Sequence, residues 1–148
     1  MIFRELSEDR AYLLKDDPVR PELDYDFRTT GGRQAFLIEN EFTGDPAAAI
    51  SVAYLDFVPT KVYELTQYPD FTYPPAIAVF YTVWSYQKGY GRKIIFETVD
   101  YMKKSKRHIL RFVTLSPKTE MARKFHLSNG AKLISENFET DNYEYKNV

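Results

Sequence analysis

Ala76-Ile77-Ala78-Val79-Phe80-Tyr81-Thr82-Val83 runs into Tyr86-Gln87-Lys88-Gly89-Tyr90-Gly91-Arg92, and the stretch continues through Lys104. The first segment is rich in β-branched and aromatic residues and is apolar throughout, which predicts a largely buried strand. Past the glycines, Ile94, Ile95, Thr98, Val99 and Met102 recur at helical spacing, while Lys93, Glu97, Asp100 and Lys103 fall largely on the other face. A glycine-bearing turn thus joins a buried strand to the start of an amphipathic helix. The first N–H groups of a helix have no partner inside it, and the helix dipole is positive there. Glycine lets the backbone approach a ligand closely. Gln87 to Arg92 therefore has the chemistry of an anion site, most naturally for phosphate. The competing reading is a tight turn and nothing more. The turn is neither the three-glycine dinucleotide pattern nor a P-loop ending in Gly-Lys-Ser/Thr.

Working outward, the 148 residues are read as one domain, 1–148, long enough for a sizeable core. A formal net charge of −1 gives no general polyanion-binding signature, so nucleic acid is not an expected partner. The absence of cysteine excludes disulfides, thiol catalysis and cysteine-ligated zinc, and fits a reducing cytoplasm, the expected location. With His108 and His126 the only histidines, no metal site is expected. No apolar run approaches the roughly 20 residues of a membrane span.

On the N-terminal side, Ile2–Leu6 reads as a strand, and Ser7 is placed to cap a helix carrying Leu13 and Leu14 inward. Residues 17–33 form a long polar loop with one helical turn within 22–27; such loops are often functional. Arg33–Glu39 and Ala47–Phe57 read as antiparallel strands around the turn Gly44-Asp45-Pro46. Residues 59–75, with four prolines, carry a short helix at 61–67, and their aromatics suit an acceptor pocket. On the C-terminal side, Lys103 to Arg107 is a basic helix end of the usual solvated kind. Ile109–Leu115 follows as a strand parallel to 76–83 through a right-handed crossover. Ser116-Pro117 reads as the start of the next helix, which Asn129-Gly130 ends. Two strands, 131–135 and 142–146, close the chain. The expected fold is α/β, a central mixed sheet flanked by helices.

Two motifs now stand in order: Gln87 to Arg92, and some thirty residues on Ala122-Arg123-Lys124-Phe125-His126-Leu127-Ser128-Asn129-Gly130-Ala131. Together they resemble the GNAT superfamily of acyl-CoA-dependent N-acetyltransferases. That family has Arg/Gln-x-x-Gly-x-Gly/Ala at the first place and Ala-x-x-Leu-Tyr, three residues, then Gly-Phe at the second. The resemblance implies central parallel strands that splay to admit acetyl-CoA, the co-substrate. It implies pyrophosphate contacts from Gln87, Lys88, Gly89, Tyr90, Gly91 and Arg92, and pantetheine pairing along Tyr81, Thr82 and Val83. The departures are Tyr86 at the motif's first position, a short Trp84-Ser85 connection, His126 in place of the family's tyrosine, and Thr119 in place of an asparagine. Thr119 is counted with the coenzyme-binding residues.

Transfer to an amine needs a neutral amine, a polarised thioester carbonyl and a proton for the leaving thiolate. His126, with an ordinary pKa near roughly 6.5, is the expected general acid; the alternative is a half-buried residue facing the sheet. Asp56, Glu39, Glu41 and Glu64 are candidate bases without a favourite. The resulting expectation is an acetyltransferase acting on a small-molecule or peptide amine, with a homodimer left open. A non-catalytic acyl-CoA-binding module and a nucleic-acid-modifying protein are the alternatives.

Overall fold

The computed structural model describes residues 1–67, 74–146 and 148. β1 (Ile2–Glu5), β2 (Arg33–Glu39), β3 (Pro46–Leu55), β4 (Ile77–Ser85), β5 (Arg111–Thr114), β6 (Ser116–Pro117), β7 (Lys132–Glu136) and β8 (Thr140–Glu144) form one mixed sheet. Its order is β1-β2-β3-β4-β5-β8-β6, with β7 on β8. β1 to β4 are antiparallel neighbours, and β4 and β5 are the parallel pair. α1 (Tyr25–Thr29), α2 (Tyr90–Ser105) and α3 (Glu120–Ser128) are the α-helices. Among the described residues no helix is long and apolar enough to cross a membrane, and no cluster of three His, Asp or Glu suits a metal.

The crossover from β4 through α2 to β5 follows from the apolar period. Ile94, Ile95, Val99 and Met102 bury against Phe36, Ile38, Ile50, Ala78 and Phe80 on one face of the sheet. The opposite face is covered by 3₁₀-helical segments, Glu8–Asp16 and Val62–Thr66, and by α1.

β4 carries a bulge. Val52 pairs with Phe80 and Ser51 with Thr82, leaving Tyr81 as the extra residue. Before it, Ala78 and Phe80 face α2, while Ile77, Val79 and Tyr81 face away. After it the faces exchange: Val83 packs on the α2 side and Trp84 on the other. Tyr81 and Thr82 consequently share a face.

Two expectations change. The segment after Ser7 is 3₁₀ rather than α, because the Ser7 hydroxyl bonds the Asp9 carboxylate and caps no backbone N–H. Ser116-Pro117 does not open a helix. Ser116 gives its hydroxyl to Thr114 Oγ1 at 2.7 Å, and both residues pair with β8 through Asp141 and Thr140. α3 starts three residues later, where Thr119 Oγ1 accepts from Ala122 N at 3.2 Å.

Candidate functional site

The parallel ladder of β4 and β5 is short. It ends at Phe80–Thr114, with Leu115 N donating to Phe80 O at 3.1 Å. Beyond that bond Thr82 to Ser85 pair only with β3, so one backbone edge of β4 stands open. A cleft of about 320 Å³ fills the splay. That volume lies at the lower end of the roughly 300–1,000 Å³ usual for small-molecule sites. One wall is Phe80 to Ser85 with Gly91; the other is Leu115 to Pro117, Thr119, Met121, Ala122, Phe125 and His126 of the α3 region. Pro18, Val19 and Arg20 form the third side.

Tyr81, Thr82, Val83, Gly91, Thr119 and His126, all candidate site residues of the sequence, thus line one cavity. The rest of the glycine turn spans Ser85 and Gly91, both in the wall. Gly89 caps α2 with φ 87°, a left-handed conformation natural to glycine, and a Cβ there would enter open space. Tyr90 N bonds Gln87 O at 3.2 Å, whereas Gly89, Gly91 and Arg92 N–H make no backbone hydrogen bond. Gly91 has a different task. A Cβ on it would stand 3.2 Å from the Phe125 ring, so the glycine lets α2 and α3 touch. Arg92 reaches Asn129 Oδ1 at 3.3 Å, tying the turn to the end of α3, and stacks over Phe96. Tyr86, the departure at the motif's first position, donates to Asp16 at 2.8 Å and accepts from Trp84 Nε1 at 3.0 Å. It anchors the N-terminal segment.

His126 lines the cleft, buried, with Nδ1 2.7 Å from Tyr145 Oη and its ring stacked on Tyr143. Desolvation lowers its pKa to about 4. At neutral pH about one ring in a thousand is imidazolium, so the protonated donor that the acid role assumes is nearly absent from the empty cleft. Burial also pushes the Tyr145 phenol up to about 12.

None of the candidate bases reaches the site. Glu39 is paired with Arg4 and Arg10, Glu64 bonds Thr60, and Asp56 and Glu41 are exposed; among the described residues no carboxylate lines the cleft. The acceptor-pocket expectation for 59–75 divides. Residues 68–73 lie outside the described residues. Of the described part, none lines the cleft, and Pro59 and Thr60 are tied to β8, where Asn142 Nδ2 donates to Pro59 O at 2.9 Å and Thr140 to Thr60 O at 2.6 Å.

Sequence reasoning missed Arg20 and Arg28, whose only signal was a long polar loop. Arg28 is fully buried. It pairs with Asp17 Oδ2 at 3.0 Å and donates to Ser51 Oγ at 3.0 Å, Thr82 Oγ1 at 3.1 Å, Leu23 O at 2.7 Å and Arg20 O at 2.6 Å. It pins the loop against the bulged part of β4. Trp84 also lines the cleft.

No protein-family model and no curated protein matches the sequence. Solved structures match over nearly the whole chain. The N-acetyltransferase PseH of Campylobacter jejuni superposes with TM-score 0.62 and 14% identity, covering 99% of this chain and 98% of its own. NAA60 of Arabidopsis thaliana, in complex with acetyl-CoA, gives 0.64 and 10%, covering 97% of each chain. A malonyl-CoA decarboxylase of Agrobacterium vitis gives 0.78 and 17%, covering 98% of this chain; the chain spans 60% of that protein's length. The chain therefore has the fold of the GNAT acetyltransferases.

Proposed function

We infer that the protein is an acyl-CoA-dependent N-acyltransferase that uses acetyl-CoA and an amine. The observation that carries this reading is the open edge of β4 beyond Phe80, continuous with a helix N-terminus where the N–H groups of Gly89, Gly91 and Arg92 make no backbone hydrogen bond. An extended pantetheine can pair along that edge as a strand would, and the turn beyond it suits a pyrophosphate. The cleft itself takes the acyl end.

This chain's own residues then act as follows. Free N–H groups on β4 polarise the thioester carbonyl. Nδ1 of His126 is committed to Tyr145, so Nε2 is the nitrogen left for a ligand. With Tyr145 donating to Nδ1, the ring carries its hydrogen on Nε2 and steadies the leaving thiolate by a hydrogen bond. Its charge state need not change. With no carboxylate among the described residues of the cleft, the amine enters neutral, and the proton it sheds on becoming an amide passes through water to the leaving thiolate.

The test uses Trp84, the only tryptophan, as a fluorescent reporter inside the cleft. Acetyl-CoA should alter its emission saturably. Gly89→Val places a branched Cβ at φ 87° in the open space of the turn, and acetyl-CoA affinity should fall at least tenfold. Equal affinities in two folded proteins would remove the turn from the coenzyme site.

A second reading is favoured by the higher superposition on the malonyl-CoA decarboxylase. It is loss of CO2 from malonyl-CoA in the same cleft, with a proton returned to the acyl carbon. Release of acetyl-CoA from malonyl-CoA without any amine would establish it over transfer.

A further inference from the structure

Charge does not balance along the third side of the cleft. Among the buried carboxylates, Glu39 is held by Arg4 and Arg10, Glu144 by Arg111, and Asp141 by Lys118. Among the described residues Asp17 is the one buried carboxylate left for the buried arginines 20, 28 and 33. Its Oδ2 lies 3.0 Å from Arg28 as an ion pair without accepting a hydrogen bond, and its Oδ1 accepts from the N–H groups of Val19 at 2.9 Å and Arg20 at 3.0 Å. Arg33 ends on the carbonyls of Phe27, Gly31 and Leu65 and lies over the Phe27 ring.

Arg20 differs from the other two. It is 5% exposed and lines the cleft. One of its nitrogens, Nη1, donates to Tyr81 O at 3.2 Å. Its Nε is sealed from solvent without a partner, and Nη2 makes no hydrogen bond among the described residues. Burial works against its charge, and Asp17 and then the exposed Glu22 favour that charge without a hydrogen bond to its side chain. A guanidinium this buried is costly unless its donors are met, and its planar fork matches a carboxylate with two parallel bonds.

We propose that Arg20 is the counter-ion for a carboxylate on the substrate. That carboxylate is either the far end of a dicarboxylic acyl group on the coenzyme or the acid group of an amino-acid acceptor. The inference rests on the acyl-CoA reading of the cleft and deepens it. Arg20 stands beside Tyr81, one residue before the open edge of β4, so an acyl group entering the splay brings its tail to the guanidinium. Asp17 is the nearest charge that opposes the incoming anion, and Arg28, 3.0 Å from its Oδ2, offsets it.

The experiment compares ligands that differ by one carboxylate, read by Trp84 fluorescence. Malonyl-CoA is set against acetyl-CoA, and phenylalanine against phenethylamine with and without saturating free CoA. In one pair the carboxylated member should bind at least tenfold more tightly, and which pair does so identifies the source of the carboxylate. Arg20→Gln should erase that preference, and Arg20→Lys, which keeps the charge but loses the fork, should retain part of it. Equal binding within both pairs, or a preference that survives Arg20→Gln, overturns the proposal. The wild-type pairs decide it even if the variants fail to fold. Absence of binding by either thioester sinks the coenzyme reading instead, and the amino-acid pair without CoA then still decides the role of Arg20.

Discussion

Asp17→Asn should lower the unfolding free energy by about 3–5 kcal/mol, the usual cost of leaving one member of a buried ion pair without its partner. Arg28 and Asp17 have side-chain exposures of 0% and 1%, so water cannot take over for the missing charge. The remaining acceptors of Arg28 are two carbonyls and two hydroxyls, which meet its N–H groups but not its charge. Against a typical total of roughly 5–15 kcal/mol, the loss would bring the variant close to unfolding at room temperature. Urea denaturation checks it through a lower midpoint at an unchanged slope. Lys118→Ala is the control. Its pair with Asp141 is partly solvated, and removing it should cost no more than about 1 kcal/mol. A loss under 1 kcal/mol for Asp17→Asn would mean that dipoles alone hold Arg28.

The second large effect is a pH dependence that belongs to His126. Its folded pKa of about 4 lies below the ordinary 6.5. Between those values the unfolded chain binds a proton that the folded protein refuses. The contribution is therefore complete above about pH 6.5, declines as pH falls, and is exhausted near pH 4. Its full size is about 3 kcal/mol. His126→Phe will shift stability at every pH, because it also strips Tyr145 of a partner. The difference between wild type and variant should be flat above pH 6.5 and shrink toward pH 4. A flat difference throughout would mean that the ring titrates in the fold as it does in the unfolded chain, and would restore the imidazolium acid. With the ring neutral, the rate of acyl transfer should show no inflection near pH 6.5 that disappears in His126→Phe.

What could be read from the chain was what is encoded locally. The strand Arg33–Glu39, the helix after Gly89 and the end of α3 at Asn129-Gly130 are set by neighbours a few residues apart, and they stand where they were expected. The parallel pairing of β4 and β5 followed from one rule of handedness. Ser116-Pro117 has a strong local helix-start signal, and pairing with a strand more than twenty residues away overrode it. The cleft was half legible. Its coenzyme side carries a motif, whereas its third side comes from a loop some sixty residues earlier in the chain. Arg20 meets Tyr81 across 61 positions, and Arg28 meets Thr82 across 54. No spacing in a single sequence announces such contacts. Nor does the residue type of His126 disclose its protonation, which the rings of Tyr143 and Tyr145 decide.

The extra residue in β4 separates what the sheet needs from what the cleft needs. Phe80 and Thr82 already stand opposite the adjacent residues Val52 and Ser51, so removing Tyr81 would let the ladder with β3 close as a regular one. Thr82, Val83 and Trp84 would keep the sides of the sheet they now occupy, and Thr82 would keep Arg28. The loss would fall elsewhere: Arg20 would forfeit the carbonyl of Tyr81, its one side-chain acceptor among the described residues. Homologous chains can therefore drop the extra residue without disturbing the strand, whereas those that hold an arginine at position 20 in the cleft should retain it.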